Sequence, residues 1–112
     1  MEKVKQILES LNKAVVDDIK IYDMHEITPF FDYSIISSAS SSRQAMAALD
    51  YVVNDQEKLG HMVKKTANSS DSTWFLLDLG DVVVHIFVGE DRERYSLDKM
   101  YNKGLIKEGE DL

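Results

Sequence analysis

The run "TWFLLDLGDVVVHIF" at 73–87 constrains the fold more than any other stretch of this chain. Two segments dense in aromatic and β-branched residues flank Leu79-Gly80, with Asp78 and Asp81 on either side. That is the pattern of a β-hairpin whose turn uses the backbone freedom of glycine. If Leu79 and Gly80 form a two-residue turn, Asp78 lies opposite Asp81 and Trp74 opposite His85. One face then carries Phe75, Leu77, Val82, Val84 and Ile86, wholly apolar and suited to a core. The other carries Trp74, Leu76, Asp78, Asp81, Val83, His85 and Phe87, and is mixed. A three-residue loop with Gly80 left-handed is the alternative; it pairs Phe75 with His85 and moves Trp74 to the other face. The first register is preferred because it separates apolar from mixed residues more cleanly. In both, one face stays amphipathic and aromatic.

A hairpin needs further elements to bury its apolar side, and the chain supplies them. Val4, Ile7, Leu8, Leu11 and Val15 recur at helical spacing in the first sixteen residues. "IKIYDM" (19–24) alternates as a strand, and "HEITPFFD" (25–32), with the sole proline, reads as a loop. "YSIIS" (33–37) is a second strand running into a serine cluster. There Ser41 and Gln44 form a capping box for a helix over 42–59, along which Met46, Leu49, Val52, Val53, Gln56 and Leu59 follow helical spacing and which Gly60 stops. "HMVKKTA" (61–67) reads as an edge strand, and "GEDRERYSLDKMYNKG" (89–104) as one or two short helical turns anchored by Tyr95, Leu97 and Met100. The order predicts an α/β fold of mixed α+β character. About five strands form a mixed sheet with helices packed on it, and the second helix makes a right-handed crossover between the second and third strands. The expected organisation is a single domain over 1–104 and a frayed acidic tail over 105–112.

The chemistry open to this chain is narrowed by what it contains. Zero cysteines remove disulfides, thiolate metal sites and cysteine nucleophiles. A net charge of −7 disfavours free nucleic acid and favours a basic protein partner. The absence of an apolar run of about 18 residues and of a signal-peptide pattern leads to the expectation of a cytoplasmic protein with no membrane association.

Asp78 and Asp81 admit a metal-binding carboxylate pair, as in phosphoryl or nucleotidyl transfer, but Asp beside a glycine turn is also favoured because its side chain bonds nearby amides, and that account is preferred. The phosphate-cradling position, "SSASSSRQ", contains no glycine. His25, His61 and His85 are at no metal-ligand spacing, so neither metal nor cofactor is expected. Trp74, the single tryptophan, suits an interface anchor or a core position equally. Arg92, Arg94 and Lys99, interleaved with Glu90, Asp91, Glu93 and Asp98, are expected to form ion pairs within a helix.

Four stretches in order, "IKIYDM", "FDYSIISSASSSRQ", "WFLLDLGDVVVHIF" and "DRERYSLDKMY", make the chain resemble the ribosomal silencing factors, the Iojap-related proteins of bacteria and organelles, across residues 4–101. The third stretch, with Trp74, Asp78, Gly80, Asp81, Val83 and His85, is the most specific, joined by Asp32-Tyr33 and Arg43-Gln44. The chain departs from the family in having Ala39 where glycine is usual and Tyr101 where tryptophan is usual. The resemblance implies a nucleotidyltransferase-like fold without the catalytic motif, and binding to the large ribosomal subunit, chiefly its protein number fourteen. It further implies that the small subunit is sterically kept from joining, so that translation falls when nutrients are scarce.

Combined with the hairpin, this leads to the expectation of a non-enzymatic protein whose partner-binding residues are Trp74, Phe75, Leu76 and His85, aided by Tyr95 and Lys99. Two rivals stand beside it. One is a metal-dependent nucleotidyltransferase or phosphodiesterase using Asp78 and Asp81, and the other is a homodimeric interaction module, a state that could also occur off the ribosome.

Overall fold

A computed structural model describes residues 2–61, 63 and 71–106. The elements are α1 (Glu2–Lys13), β1 (Asp17–Asp23), β2 (Tyr33–Ala39), α2 (Ser42–Lys58), β3 (Trp74–Asp78), β4 (Val82–Val88), α3 (Asp91–Tyr95), α4 (Leu97–Met100), a 3-10 turn (Asn102–Gly104) and β5 (Leu105–Ile106). The sheet order is β3-β4-β2-β1-β5, with β4 parallel to β2 and every other pair antiparallel. This is the expected five-stranded mixed sheet, although its fifth strand differs from the one foreseen. Leu105 and Ile106 pair with Tyr22 and Ile21, so the sheet claims the first two residues assigned to the acidic tail. The edge strand expected over 61–67 falls mostly outside the described residues, and His61 and Val63 are not in a strand. The next described element after α2 is β3, and the parallel partner of β2 is β4.

The two faces of the sheet are covered unequally. α1 and α2 pack on one face, where Val4, Ile7 and Leu11 of α1 meet Leu49, Val52 and Val53 of α2 over Ile35, Phe75, Val84 and Ile86. The helices are joined by Ser10 Oγ donating to Asp55 at 2.6 Å and by the Lys13–Asp55 ion pair at 3.0 Å. On the opposite face Tyr22, Ile36 and Phe87 are covered, among the described residues, by the 24–32 loop and the C-terminal segment, through Met24, Ile27, Phe31, Leu97, Tyr101 and Leu105, with Trp74 at the margin. β4, central and buried on both sides along six of its seven residues, therefore reads as a nearly continuous apolar run.

Several local expectations are refined. The middle of the α2 stripe is as expected, with Leu49, Val52, Val53 and Gln56 buried, while its ends differ: Ala45 and Ala48 are buried and Met46 and Leu59 are exposed, because small residues let the helix lie close to its neighbours. Val15 does not continue the α1 stripe; it is 71% exposed with φ 57° in the turn after the helix. The cap of α2 forms as expected in its first half, Ser41 Oγ accepting from Gln44 N at 3.1 Å. Gln44 Oε1 accepts from Ser40 N rather than Ser41 N, and its Nε2 donates to the carbonyls of Ala14 and Val15. Gly60 stops the helix at φ 86°. Among the described residues no helix is long and apolar enough to cross a membrane.

Candidate functional site

The hairpin has the expected faces and a different register. Trp74 pairs with Phe87, Leu76 with His85 and Asp78 with Val83, and Leu79 N donates to Val82 O at 2.9 Å, which leaves Gly80-Asp81 as the two-residue turn. Both registers weighed from the sequence are thereby corrected. The pairing is displaced by two residues from the preferred one, and a two-residue slip preserves which side chains share a face. Gly80, at φ 88°, takes the first turn position, where glycine meets no steric penalty and leucine would.

The two turn carboxylates are each committed to a different protein partner. Asp78 Oδ1 accepts from Gly80 N at 2.8 Å, the local side-chain bond that makes Asp favourable before a turn. Asp81 pairs with Lys3 at 2.7 Å, and the same ammonium donates to Leu79 O at 2.8 Å, fixing α1 to the turn. The backbone carbonyl of Asp81 accepts from the amides of Asp32 and Tyr33, which ties the turn to the start of β2.

The mixed face gathers four rings. Trp74 is partly buried and lies 5.2 Å from Phe87, 5.9 Å from His85 and 4.6 Å from Tyr95, between ring centroids. His85 stacks on Phe87 at 6.4 Å with the planes 10° apart. The indole Nε1–H donates to His85 Nδ1 at 3.0 Å, a diagonal contact across the strands and not the direct opposition expected. Since Nδ1 accepts, the proton of the neutral ring sits on Nε2. That atom is buried and finds no partner among the described residues. Burial lowers the His85 pKa to about 4, against a weaker opposing pull from Asp98, so the imidazole is uncharged at neutral pH. Its lone pair is taken by the indole, a geometry suited to holding the ring of Trp74 and poorly suited to abstracting a proton.

Of the six residues expected to meet a partner, Trp74, Tyr95 and His85 come together in this cluster, Leu76 is partly buried opposite His85, and Lys99 is exposed on α4. Phe75 and His85 are corrected: Phe75 is fully buried on the helix-covered face against Ile86, and His85, 6% exposed, supports Trp74 from within and offers little surface of its own. Phe87, which sequence reasoning left out of the site, is the buried floor under Trp74. Arg94 pairs with Asp91 inside α3 at 3.5 Å, as expected. Arg92 does not pair within its helix; it reaches Asp98 of α4 and the carbonyl of Asp18. Tyr101 lies edge-on to Tyr22 at 6.0 Å and belongs to the cover of this face.

Comparison with known proteins places this arrangement. The family model for the ribosomal silencing factor during starvation matches residues 1–111. The ribosomal silencing factor RsfS of Bacillus subtilis is 35% identical over 85 residues, covering 76% of this chain and 72% of that protein. The mouse protein named mitochondrial assembly of ribosomal large subunit protein 1 is 26% identical over 102 residues, 88% of this chain and 44% of that protein. A crystal structure of a Chromobacterium violaceum protein superposes with a TM-score of 0.85 at 27% identity, covering 90% of this chain and 84% of that one. The family match spans the helices, the sheet and the ring cluster alike, and on that ground the chain belongs to the ribosomal silencing factor family.

Proposed function

We propose that this chain represses translation without catalysis, by binding the large ribosomal subunit, chiefly its protein number fourteen, and occupying the surface that the small subunit needs in order to join. The proposal places it in the cytoplasm, where subunits meet. The observation that carries the reading is the partly exposed indole of Trp74. It is held from three sides by Phe87, His85 and Tyr95, as a rigid aromatic anchor is. Family membership supports a ribosomal target, and the mouse relative's name points to the large subunit. The net charge of −7 suits a basic, RNA-lined partner surface at short range while opposing free nucleic acid. Occlusion needs only affinity and position, which a small stiff body supplies.

The test is sedimentation with separated ribosomal subunits, followed by a subunit reassociation assay. The chain should travel with the large subunit and suppress 70S formation, and Trp74→Ala should weaken binding by about 2 kcal/mol, roughly thirtyfold. A folded Trp74→Ala chain with unchanged affinity refutes the anchor, and absence of large-subunit binding by the unaltered chain refutes the function.

A further inference from the structure

The segment that carries Tyr95 has little apolar reason to stay against the sheet. α3 is five residues long and none of them is buried; of the four residues of α4, Leu97 is the buried one. Helices this short do not persist alone, and Ser96 between them takes the left-handed conformation at φ 54°, ψ 36°, which is disfavoured for a residue with a Cβ. Tyr95 itself is 47% exposed, yet its ring packs on Trp74 at 4.6 Å with the planes tilted by 43°.

Besides Leu97 and a hydrogen bond from Thr73 Oγ1 to Asp91, the guanidinium of Arg92 holds the segment in place. The Arg92 side chain is 13% exposed, and its Nε and Nη2 donate to the two oxygens of Asp98 at 3.0 and 3.1 Å, a two-pronged match of planar groups. Nη1 donates to Ser38 Oγ at 2.9 Å and to the carbonyl of Asp18 at 2.7 Å. Tyr22 Oη also donates to Asp98 Oδ1. Arg92 thereby joins α3 to α4, to the end of β2 and to β1. The last contact is bought with a distortion: the β1–β2 register shifts between Asp17 and Lys20, and Asp18 sits at φ 49°. A bulge that turns one carbonyl toward a largely covered guanidinium is a built feature.

We propose that Arg92 is a positioning residue for the binding face, acting on the partner through Tyr95 by keeping α3 seated so that the phenol ring lies over Trp74 before contact is made. The inference rests on the proposed function for what that face binds. Holding the ring in place beforehand removes an ordering cost at the moment of association. Lysine cannot substitute, because it offers a point charge where the fork addresses two carboxylate oxygens, a hydroxyl and a carbonyl at once.

The experiment uses the full chain, isolated large subunits, and the variants Arg92→Met, Arg92→Lys, Tyr95→Ala and Arg92→Met/Tyr95→Ala. Each is checked for folding by urea titration and for ring packing by the emission of the single tryptophan. Arg92→Met should alter the Trp74 emission and weaken large-subunit binding about tenfold, a loss typical of forfeited preorganisation. Arg92→Lys should behave like Arg92→Met. In the Tyr95→Ala background the Arg92 change should add less than about twofold, since coupled residues are non-additive.

Full additivity in the double variant, wild-type affinity of folded Arg92→Met, or rescue by lysine would each overturn the inference. If Arg92→Met does not fold, Asp98→Asn is read in its place with the same expectations. If the unaltered chain does not bind large subunits, the functional proposal fails, and the positioning role is then decided by emission alone. A shift on Arg92→Met that disappears in the Tyr95→Ala background sustains it, and any other pattern removes it.

Discussion

Lowering the pH from 7.5 to 5.5 asks the unfolded chain to take up a proton at residue 85 that the folded chain refuses. His85 is 6% exposed, its Nδ1 is engaged by the indole N–H, and burial brings its pKa down to about 4, from 6.5 when solvated. The sign follows from proton counting. Between 6.5 and about 4 the unfolded state binds more protons than the folded one, so stability present above pH 6.5 is lost as the pH falls and the loss is complete below about 4. The ceiling is about 3 kcal/mol, and roughly 1.3 kcal/mol of it is spent between pH 7.5 and 5.5.

His25 works the other way. Its hydrogen bond to Asp23 raises its pKa, which gives stability present below 6.5 and lost as the pH rises, so it must be cancelled by comparison. The assay is urea unfolding of the unaltered chain and of His85→Asn at both pH values, asparagine keeping an acceptor for the indole. The unaltered chain should lose about 1.3 kcal/mol more than the variant. Equal losses, or an imidazole of His85 titrating in NMR at or above pH 6, would refute the account of a neutral ring enforced by burial.

Two further outcomes follow from the backbone. A Cβ at Gly104 would lie 2.0 Å from the carbonyl oxygen of Asp23, a backbone atom that moves only with β1, so Gly104→Ala should cost about 2 kcal/mol or more in urea unfolding; a change below about 0.5 kcal/mol would show that the 3-10 turn and β5 are not pinned to β1. Val15 is exposed at φ 57°, where a β-branched residue is strained, and its hydrogen bonds, from its N–H to Asn12 O and from Gln44 to its carbonyl, use backbone atoms that asparagine keeps. Val15→Asn should therefore stabilise the chain by about 1 kcal/mol, raising Tm by about 4 °C in calorimetry, and no gain would mean that the turn adapts freely.

The faces of the hairpin were legible from sequence while its register was not, and the reason is parity. Side chains alternate along a strand, so any even slip keeps Trp74, Leu76, His85 and Phe87 together, and the apolar count alone cannot distinguish one even register from another. Leucine's aversion to a positive φ carries the missing information: it favours a turn at Gly80-Asp81 over Leu79-Gly80. The buried stripe of α2 was legible at Leu49, Val52, Val53 and Gln56 and missed at its start, since side-chain size drew attention to Met46 when closeness of packing selects Ala45 and Ala48. β5 has two residues, too few for a period to register. Within the site, Trp74, His85 and Tyr95 were visible as residue types. The Arg92 contacts to Ser38 and Asp18 span 54 and 74 residues of sequence, a distance over which local pattern is silent.

The unequal covering of the sheet bears on why the proposed recognition face is the one that carries Trp74. The face under α1 and α2 is closed by helices of 12 and 17 residues. The other face is closed by a loop and by helices of five and four residues, and at its β3 edge the cover ends on Trp74. A partly exposed tryptophan there needs something that fixes its orientation. An apolar residue at 85 could fill the same space but would leave the indole N–H without its acceptor, at a cost of about 1–3 kcal/mol if the group is shut from water on binding. A carboxylate would satisfy the N–H but bring a charge into a buried position beside Phe87. A neutral imidazole meets both demands, and burial is what keeps it neutral. The property that makes His85 a poor base at pH 7 is thus the property that makes it a good support for the indole, and the same burial ties the pH sensitivity of the fold to the geometry of the proposed binding face.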